Sequence, residues 1–410
     1  MDYAAVRDAI YRPLRAEGVF TWDWLYDQEY ALAVPIPLSA GDLRALRAAT
    51  AALGAIFAKT VAVVQAGPPE LLSELGIPAA AHDAVRLAGL PGAATLIGRF
   101  DFARTPAGWK LLEFNSDTPG GIVEAFHVNP RVCAHHRAAD PNAGLEATLP
   151  AAFRAAADLY RARGFDTGRV AFSALDWHAE DAGTARYLCR VAGLGGRFVP
   201  LKDLRIVGDA LCAADDGHEP IGLWYRLHPL GLMAADRDHD GYPTGRHLLG
   251  LIARGRVALI NPPVALIGQS KALQALIWSL ADTGGFFTAA ERDTIVAHLL
   301  PTSFDNTFAG RCPHVVKPVL GREGGGITIL AADGATIARD RENYYWDQPM
   351  IYQQYQDLET ADLPTLAGPK TGRLVWGSFL INGEPSAVVA RLGGLITDDL
   401  AYFVPVRLDD

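Results

Sequence analysis

Apolar residues recur with the spacing of one helix face between residues 41 and 64, which predicts a buried amphipathic helix. The stripe consists of Leu43, Leu46, Ala49, Leu53, Ile56 and Phe57. A second helix is predicted over residues 145–163. Further along the chain, a strand at 169–174, a helix at 181–191 and a strand at 196–200 follow one another. This alternation predicts a small parallel α/β unit.

The last hundred residues favour strands over helices, because β-branched and aromatic residues are concentrated there. The predicted strands lie at 315–319, 326–330, 350–355, 374–381 and 386–392. Between the last two stands Asn382-Gly383, the dipeptide preferred in a two-residue hairpin turn. We therefore expect a mixed α/β protein with an α/β front half and a sheet-rich back half.

Residues 98–115 predict a β-hairpin, since two segments of alternating polarity flank the turn-forming residues 105–108. Side chains alternate between the two faces of a strand. Arg99 and Asp101 therefore share one face, and Glu113 and Asn115 share a face of the partner strand. A turn centred near residue 107 places Asp101 opposite Glu113, and Arg99 opposite Asn115.

The two facing carboxylates indicate a cation site. Like charges directly opposed across a sheet are destabilising, and a bound cation converts that repulsion into ligation. Hard oxygen donors suit Mg²⁺, which usually completes its shell with nucleotide phosphates. The small and hydroxyl residues at 116–121 can also bring backbone N–H groups to an anion. The alternative is an exposed hairpin with an ordinary polar face.

A lysine strand and a glycine-rich loop give a second candidate for phosphate binding. The chain contains neither the GxxxxGK[ST] loop nor a GxGxxG after a strand. Lys317 instead lies within an apolar strand, followed by the glycine-rich residues 321–326, which can approach a ligand and close over it. Lys271, at the start of a predicted helix, could reach the same phosphates. The alternative is an edge-strand lysine beside a long hairpin loop.

Composition and charge narrow the class of protein. The 410 residues are 50% hydrophobic and 20% charged, as in a soluble globular protein. A net charge of -9 argues against a general nucleic-acid-binding protein, which needs a positive field. The four cysteines form no CxxC pair, which favours a reducing compartment. Because the first residues lack an apolar signal core, we expect a cytoplasmic protein.

Two further segments leave alternatives open. The apolar stretch 48–66 is long enough for a membrane span, but Lys59 and Gln65 interrupt it and favour a buried helix. Three aromatic residues near the start either line a substrate pocket or belong to the core, and we expect the core. These residues are Trp22, Trp24 and Tyr26.

Six phrases in a fixed order resemble the synthetase portion of the glutathionylspermidine synthase family over nearly the whole chain. They are GRFDF, LLEFNSDTP, INPPVALIGQSKALQALIW, VVKPVLGREGGGITI, IYQQY and GLITDDLAYFVP. The resemblance implies an ATP-grasp fold with permuted motif order and an attached preATP-grasp-like α/β unit. It implies that residues 1–145 form the first part of the ATP-grasp body with a metal-binding hairpin at 98–121. Residues 146–260 would form the preATP-grasp-like substrate domain, and residues 261–410 the nucleotide-binding part with a glycine-rich lid.

The resemblance also implies roles for individual residues. The implied metal ligands are Asp101, Glu113 and Asn115, and the implied catalytic residues are Arg99 and Arg322. The implied ATP contacts are Arg99, Lys271, Lys317, Glu323, Gly324, Gln353, Gln354, Tyr355, Leu395, Ile396 and Thr397. The implied substrate contacts are Thr118, Glu180, Asp181 and Arg391.

The activity implied by the resemblance is an ATP- and Mg²⁺-dependent carboxylate–amine ligase that works through an acyl phosphate. Its implied partners are a small-molecule or peptide carboxylate and an amine, without nucleic acid or membrane, in an oligomeric state that the sequence does not set. Residues 225–232 depart from many members, since Leu230 and Leu232 replace polar groups. We therefore expect a product other than glutathionylspermidine. The alternative function is an ATP-binding regulatory or non-ligating homologue.

Overall fold

The computed structural model describes residues 2–215, 217–342 and 344–409. The α-helices in these residues are Tyr3–Ala16, Ala40–Ala66, Pro69–Glu74, His82–Val85, Asn129–His136, Thr148–Ala162, Ala179–Val191, Leu230–Met233, Thr244–Ala253, Ala265–Gln269, Ala272–Thr283 and Ala289–His298. Short 3-10 helices occur at Ala79–Ala81, Leu145–Ala147 and Leu201–Asp203, and a π-helical turn at Glu124–Val128. The helices predicted at 41–64, 145–163 and 181–191 are confirmed.

An antiparallel sheet of six strands, here called the central sheet, joins distant parts of the chain. Its strands in spatial order are Tyr402–Val404, Glu384–Gly393, Gly368–Ile381, Ile97–Thr105 and Gly108–Asn115, with Thr360–Thr365 paired to Gly368–Ile381. The predicted hairpin therefore lies in the same sheet as strands from the last fifty residues or so of the chain, Gly368–Ile381 and Glu384–Gly393 among them. The predicted turn at Asn382-Gly383 is confirmed, because both residues adopt positive φ, 50° and 86°.

The long helix Ala40–Ala66 packs on the apolar face of the central sheet. All six residues of its predicted stripe are buried. The Phe57 ring presents its edge to the rings of Phe100 and Phe114, at centroid distances of 5.4 and 5.1 Å. Those two rings stack at 3.9 Å across the hairpin. Because the aromatic residues occupy one face of the hairpin, its polar residues must point to the other face.

The same helix is long and apolar enough to cross a membrane, judged by length and composition alone. Half of its most apolar window, 50%, is buried inside the fold. Its start is capped by Ser39, whose hydroxyl accepts a 3.0 Å hydrogen bond from the backbone N–H of Asp42. In this structure the apolar stripe is thus occupied by contacts with the central sheet.

A second antiparallel sheet carries the lysine strand. Its strands in spatial order are Thr302–Ser303, Met350–Gln354, His314–Pro318, Thr328–Leu330 and Thr336–Arg339. The strand that contains Lys317 pairs with a neighbour on each side, so the edge-strand alternative is wrong. Residues 321–326, here called the glycine-rich loop, connect this strand to Thr328–Leu330. The loop therefore starts close to the buried lysine.

A third sheet is parallel, as the alternation of strand, helix and strand predicts. Its strands in spatial order are Ala258–Ile260, Leu223–Arg226, Val170–Ser173 and Arg197–Phe198. Across the described residues there are also three two-stranded sheets: Trp24–Leu25 with Gln28–Glu29, Leu204–Val207 with Ala210–Ala213, and Ile36–Ser39 with Val406–Asp409. The parallel sheet lies within residues 146–260, whereas the central sheet combines strands from before and after them. The division into three functional parts stays a prediction.

Candidate active site

The hairpin holds its polar residues in the predicted register. Arg99 pairs with Asn115, and Asp101 pairs with Glu113. The regular pairing shifts just after Asp101, where the strands form a bulge. The polar face of the hairpin is directed into a cleft beside the lysine strand, since Asp101, Glu113 and Lys317 line the same space.

Cationic side chains surround the two carboxylates. Arg99 donates hydrogen bonds of 2.6 and 3.0 Å to the two oxygens of the buried Asp101. Arg391 lies on the strand Glu384–Gly393, two strands away in the central sheet, and donates a 2.8 Å bond to the same carboxylate. Lys271 forms an ion pair of 3.1 Å with Glu113. The repulsion expected between the facing carboxylates is thus offset by three cations.

These charges set the protonation of the hairpin residues. Burial by itself would raise the pKa of Glu113, but the charges of Lys271, Lys317 and Arg391 outweigh it and lower that pKa below its usual range. Burial works against the charge of Arg99 too, yet the adjacent Asp101 raises the pKa of the guanidinium. Glu113 is therefore ionised and Arg99 protonated at neutral pH.

The hairpin offers a donor set that fits magnesium. The Asn115 amide nitrogen lies 3.2 Å from an oxygen of Asp101 and 3.4 Å from an oxygen of Glu113, so the three side chains converge. Turning the amide would present its oxygen instead. Two carboxylates and one amide oxygen are donors that Mg²⁺ accepts. Within the described chain no cluster of three His, Cys, Asp or Glu residues could hold a metal, so an ion here would need the amide and further oxygens from a ligand.

Two lysines reach the hairpin from different elements. The Lys317 ammonium donates a 2.7 Å hydrogen bond to the Gln353 side-chain oxygen and a 3.3 Å bond to the Leu112 carbonyl. Burial lowers the pKa of Lys317 to about 8, although Glu113 acts in the opposite direction. Lys271, just before the helix Ala272–Thr283, donates a 2.6 Å bond to the Gly321 carbonyl. Lys317 therefore links the hairpin to the strand Met350–Gln354, and Lys271 links it to the start of the glycine-rich loop.

The cleft between the hairpin and the five-stranded sheet gathers most of the predicted ATP contacts. It is here called the nucleotide cleft after that prediction, which the structure does not test. Predicted site residues that line it are Asp101, Glu113, Lys317, Gly324, Gln353, Gln354, Tyr355, Arg391, Leu395, Ile396 and Thr397. Apolar wall residues are Leu112, Val315, Ile327, Ile329 and Val375. It encloses about 720 Å³ of empty space, part of it open to solvent. Apolar walls with a few polar groups are typical of a small-molecule site.

An acidic cleft adjoins the nucleotide cleft, and the two share Glu113, Gly324, Arg391 and Thr397. Its further predicted site residues are Arg99, Asn115, Thr118, Glu180, Asp181, Arg322 and Glu323. Burial, and then the negative charges of Glu124, Asp181 and Glu323, raise the pKa of Glu180 well above its usual value. Burial is also the main cause that raises the pKa of Asp181. The cleft therefore has a negative potential that favours a cation.

The glycine-rich loop lies against the rim of both clefts. Arg322 donates a 2.7 Å hydrogen bond to the Thr118 hydroxyl. Gly324 has a φ of 77°, and a Cβ atom added there would stand 2.8 Å from Ile396 Cγ2 and 2.8 Å from the Thr397 carbonyl oxygen. Only glycine satisfies both requirements without a shift. The loop is thus packed onto the segment 395–397, as a closed cover would be.

The structure brings every predicted site residue to these two clefts or, for Lys271, directly behind Glu113. The functional roles of these residues stay predictions. The sequence interpretation missed the residues that hold the hairpin end in place. Asn261 donates hydrogen bonds of 2.8, 3.0 and 2.9 Å to the carbonyls of Ile97, Ser116 and Asp117, and Gln269 accepts bonds from the backbone N–H groups of the last two. Both residues stand in the quoted phrase INPPVALIGQSKALQALIW, but only the fold shows what they contact.

A buried ion pair connects the hairpin end to the parallel sheet. Asp117 and Arg226 are fully buried and in direct contact. The second oxygen of Asp117 accepts a 2.8 Å hydrogen bond from the backbone N–H of Leu230. Asp117 is therefore a structural residue that positions the neighbouring Thr118 and the segment that departs from the family.

The expectation for the three aromatic residues is only partly right. Trp22 is a core residue, and its indole N–H donates a 2.8 Å hydrogen bond to Glu124. Trp24 and Tyr26 are instead 50% and 52% exposed. Tyr26 lies in the acidic cleft together with Glu124. The tight turn at residues 26–27, with φ of 49° and 58°, exposes the Tyr26 ring.

The chain is similar in sequence to known proteins. The family model described as "Glutathionylspermidine synthase preATP-grasp" matches residues 14–409. A Haemophilus influenzae protein named "Putative acid--amine ligase" is 25% identical over 287 residues, which span 65% of this chain and 64% of that protein, less than two thirds of its length.

A solved structure gives the same fold. It is that of a glutathione synthetase-like effector from Globodera pallida in its apo form, with a TM-score of 0.60 at 12% identity. The superposition covers 99% of this chain and 97% of the effector. The fold is therefore the mixed α/β, ATP-grasp-related fold that the sequence predicts. The chain belongs to the glutathionylspermidine synthase preATP-grasp family.

Proposed function

We propose that this protein is an ATP- and magnesium-dependent ligase that joins a carboxylate to an amine. The observation that carries the proposal is the continuity of the two clefts. A slot with apolar walls and the buried Lys317 meets an acidic cleft at Arg391 and Glu113. A phosphate donor and a cationic acceptor could therefore meet at the hairpin. The family, and the name of the Haemophilus influenzae relative, point to the same reaction class.

The nucleotide cleft would bind ATP. Lys317 and Lys271 flank Glu113. These two lysines would supply two positive charges for the phosphates. The adenine would lie between apolar walls, which favour a flat ring. It would be held by Gln353, Gln354 and Tyr355 and by the facing residues 395–397. The glycine-rich loop covers the phosphate end, where Gly324 meets Thr397.

Asp101, Glu113 and Asn115 would hold Mg²⁺ against the ATP phosphates. The ion would neutralise phosphate charge during phosphoryl transfer. When the ion is bound, Arg99 and Arg391 would no longer be the principal partners of the hairpin carboxylates. Both guanidinium groups line the acidic cleft and would be free to bind the oxygens of the acid and of the transferred phosphoryl group.

The acid would be activated next to Thr118 and Arg322. A carboxylate oxygen forms a bond to the γ-phosphorus of ATP while the bond from that phosphorus to the ADP oxygen breaks. Arg99 and Arg322 stabilise the negative charge that is spread over the transferred group. The closed loop, held by the 2.7 Å bond from Arg322 to Thr118, keeps water away from the acyl phosphate.

The acidic cleft would bind the amine. Glu124, Glu180 and Asp181 lie there with the rings of Tyr26 and Tyr30, a combination of charge and aromatic surface that suits an ammonium group. The amine nitrogen attacks the acyl carbon, the carbon–oxygen bond to phosphate breaks, and phosphate leaves with the proton that the amide nitrogen gives up. Before the attack, the bound ammonium group must lose a proton to free its lone pair. Because the pKa of Glu180 is raised, its carboxylate is suited to accept that proton. We propose that the enzyme works in the cytoplasm.

The experiment is a screen for ADP release that depends on an acid. Purified protein with Mg²⁺ and ATP is mixed with a panel of carboxylic acids, and hydroxylamine serves as a small general amine that converts acyl phosphates into hydroxamates. We expect ADP, phosphate and hydroxamate in equal amounts, and only with an acid present. Asp101→Asn and Lys317→Ala should abolish the signal, whereas Glu384→Gln, at an exposed hairpin carboxylate, should not.

Two outcomes would contradict the proposal. ADP release by both Asp101→Asn and Lys317→Ala at the rate of the unmodified enzyme would show that the site lies elsewhere. Tight binding of Mg-ATP without ADP release against the whole panel would favour the non-ligating alternative. Calorimetry with a non-hydrolysable ATP analogue separates that alternative from a protein that binds no nucleotide.

A further inference from the structure

A third cavity opens beside Arg322 and has mainly apolar walls. Its walls come from separate parts of the chain, including Pro78, Leu232, Leu266, Val319 and Leu320. It encloses about 650 Å³ of empty space, part of it open to solvent. Arg322 lines both this apolar cavity and the acidic cleft. Arg322 therefore lies between the cavity and the proposed site of acid activation.

Two charged side chains lie in the wall of the apolar cavity, and they differ in whether they already have an ion-pair partner. The Asp117 carboxylate is already bound by Arg226 and by the backbone N–H of Leu230. Arg322 has no carboxylate within ion-pair distance among the described residues, and it donates a hydrogen bond to the Thr118 hydroxyl. For a ligand, the wall thus presents one available positive charge and no available negative charge.

Two glutamines in the wall are also able to donate hydrogen bonds to a ligand. The side-chain oxygen of Gln269 accepts hydrogen bonds from two backbone N–H groups, of Ser116 and Asp117. The side-chain oxygen of Gln348 accepts a 2.9 Å bond from the backbone N–H of Leu320. With both oxygens engaged, their amide N–H groups are left as donors. Donors, one cation and apolar walls complement an anion with an apolar body.

We propose that the apolar cavity binds the body of the acid substrate, that this acid has an apolar body, and that Leu232 selects for it. The inference rests on the ligase function proposed above. Leu232 lines the cavity and is 43% exposed, so its side chain is accessible to a ligand in the cavity. The carboxylate of the acid would lie at Arg322 and Thr118, and its chain would extend toward Leu232 and Leu266.

The cavity discriminates against polar acids by its walls. A peptide or sugar acid would leave its polar groups without partners against leucine, valine and proline, which costs binding free energy. Gly231 sets the width of the cavity, because a Cβ atom there would stand 3.3 Å from Leu320 Cδ1. An added methyl group at this position therefore narrows the space without meeting the backbone.

The test measures hydroxamate formation with Mg-ATP and a series of straight-chain acids: acetate, butyrate, hexanoate and octanoate. Glycylglycine and succinate serve as polar acids. We expect KM to fall about fourfold for each methylene that enters the cavity, which corresponds to about 0.8 kcal/mol. Leu232→Gln should weaken that dependence, and Gly231→Ala should raise KM for octanoate more than for butyrate. The matched control is Leu366→Gln, at a leucine that is 44% exposed and lies outside the cavity.

Different results separate this inference from the ligase function. Hydroxamate from all acids with equal KM, or a chain-length dependence that Leu232→Gln leaves unchanged, would overturn the cavity assignment and keep the ligase. If no acid gives hydroxamate, binding of octanoate is measured by calorimetry. Binding that Leu232→Gln weakens tenfold or more would keep the cavity assignment and overturn the ligase. Absence of octanoate binding would overturn the cavity assignment.

Discussion

Arg322 donates a 2.7 Å hydrogen bond to the hydroxyl group of Thr118. Arg322 belongs to the glycine-rich loop of the five-stranded sheet, whereas Thr118 follows the hairpin of the central sheet. The bond therefore connects the two sheets at the place where the acidic cleft and the apolar cavity share Arg322. A ligand carboxylate that replaced the hydroxyl as the partner of Arg322 would occupy this junction.

Substitution at this junction should affect turnover. We expect Arg322→Ala to lower kcat about 100- to 1000-fold, because it removes a cation that stabilises the charge of the transferred phosphoryl group. Thr118→Val removes only a hydroxyl group and should cost about tenfold. Because the two side chains are in contact, the double variant should be no slower than Arg322→Ala alone.

The matched control for this pair is Arg311→Ala, which removes an exposed arginine near the same sheet. Its kcat should equal that of the unmodified enzyme. Steady-state kinetics with hydroxylamine and the best acid of the panel give kcat for the two single variants, the double variant and the control. Arg322→Ala with unchanged kcat, or fully additive effects in the double variant, would contradict the shared role.

The hairpin carboxylates should couple Mg²⁺ to stability. Removal of the Asp101 charge leaves the buried Arg99 without its ion-pair partner, and breaking such a pair costs about 3–5 kcal/mol. We expect Asp101→Asn to lower the free energy of unfolding in urea by that order, and Glu113→Gln by less, because Glu113 is more exposed. Neither variant should gain thermal stability from Mg²⁺ with an ATP analogue, whereas the unmodified protein and Glu384→Gln should. A full Mg²⁺ response in Glu113→Gln would remove that residue from the metal site.

Lys317 should make nucleotide binding depend on pH. Burial lowers the pKa of Lys317 to about 8 in the folded protein, against about 10.4 for an unperturbed lysine. Since ATP requires the protonated form, we expect the Kd of an ATP analogue to rise about tenfold from pH 7 to pH 9. Lys317→Arg should remove this dependence, and calorimetry across the pH range would measure it. A Kd that stays constant in the unmodified protein would contradict the prediction.

The same group predicts how stability varies with pH in the absence of nucleotide. Between about pH 8 and about pH 10.4 the unfolded chain keeps a proton that folded Lys317 has lost, so its contribution to the free energy of unfolding rises with pH. Below about pH 8 both states are protonated and the full penalty of burying the charge is present. Comparison of urea unfolding for the unmodified protein and Lys317→Met isolates this contribution, which should be absent in the variant.

Asn261 should act as a positioning residue. Asn261→Ala removes three donated hydrogen bonds and the 2.9 Å bond that its oxygen accepts from Ile97, and we expect a loss of about 3 kcal/mol in stability. The displaced hairpin end should also lower kcat about tenfold, with little change in the Kd for nucleotide. Asn142→Ala is the matched control, because Asn142 is equally buried and likewise bonds to backbone groups, at Ala125 and Val388. Equal kcat for both variants would assign Asn261 to stability alone.

Local patterns in the sequence account for much of the site. The alternation around Asp101 and Glu113 has a period of two, so the turn at 105–108 sets which side chains face each other. The structure has that register. The same reasoning places Lys317 in a strand, and the cluster of glycines after it in a loop. These features depend on neighbours in the chain, which a sequence displays directly.

Contacts between distant segments could not be predicted in this way. The pairing of Gly368–Ile381 with Ile97–Thr105 joins strands that are separated by most of the chain. Asn261 binds carbonyl groups, which every residue has, so no residue type marks its partners. The exposed Tyr26 looked like a core residue because aromatic side chains usually are, and its turn conformation is decided by tertiary contacts.

The ion pair of Asp117 and Arg226 constrains how the chain can be recombined with relatives. Each of the two residues belongs to a different predicted part, one before residue 146 and one within 146–260. A chimera that takes residues 146–260 from another family member must bring a cation at the position of Arg226. Otherwise the buried carboxylate of Asp117 has no ion-pair partner. The two positions should accordingly be inherited as a unit, and a library of exchanged segments should lose every member that separates them.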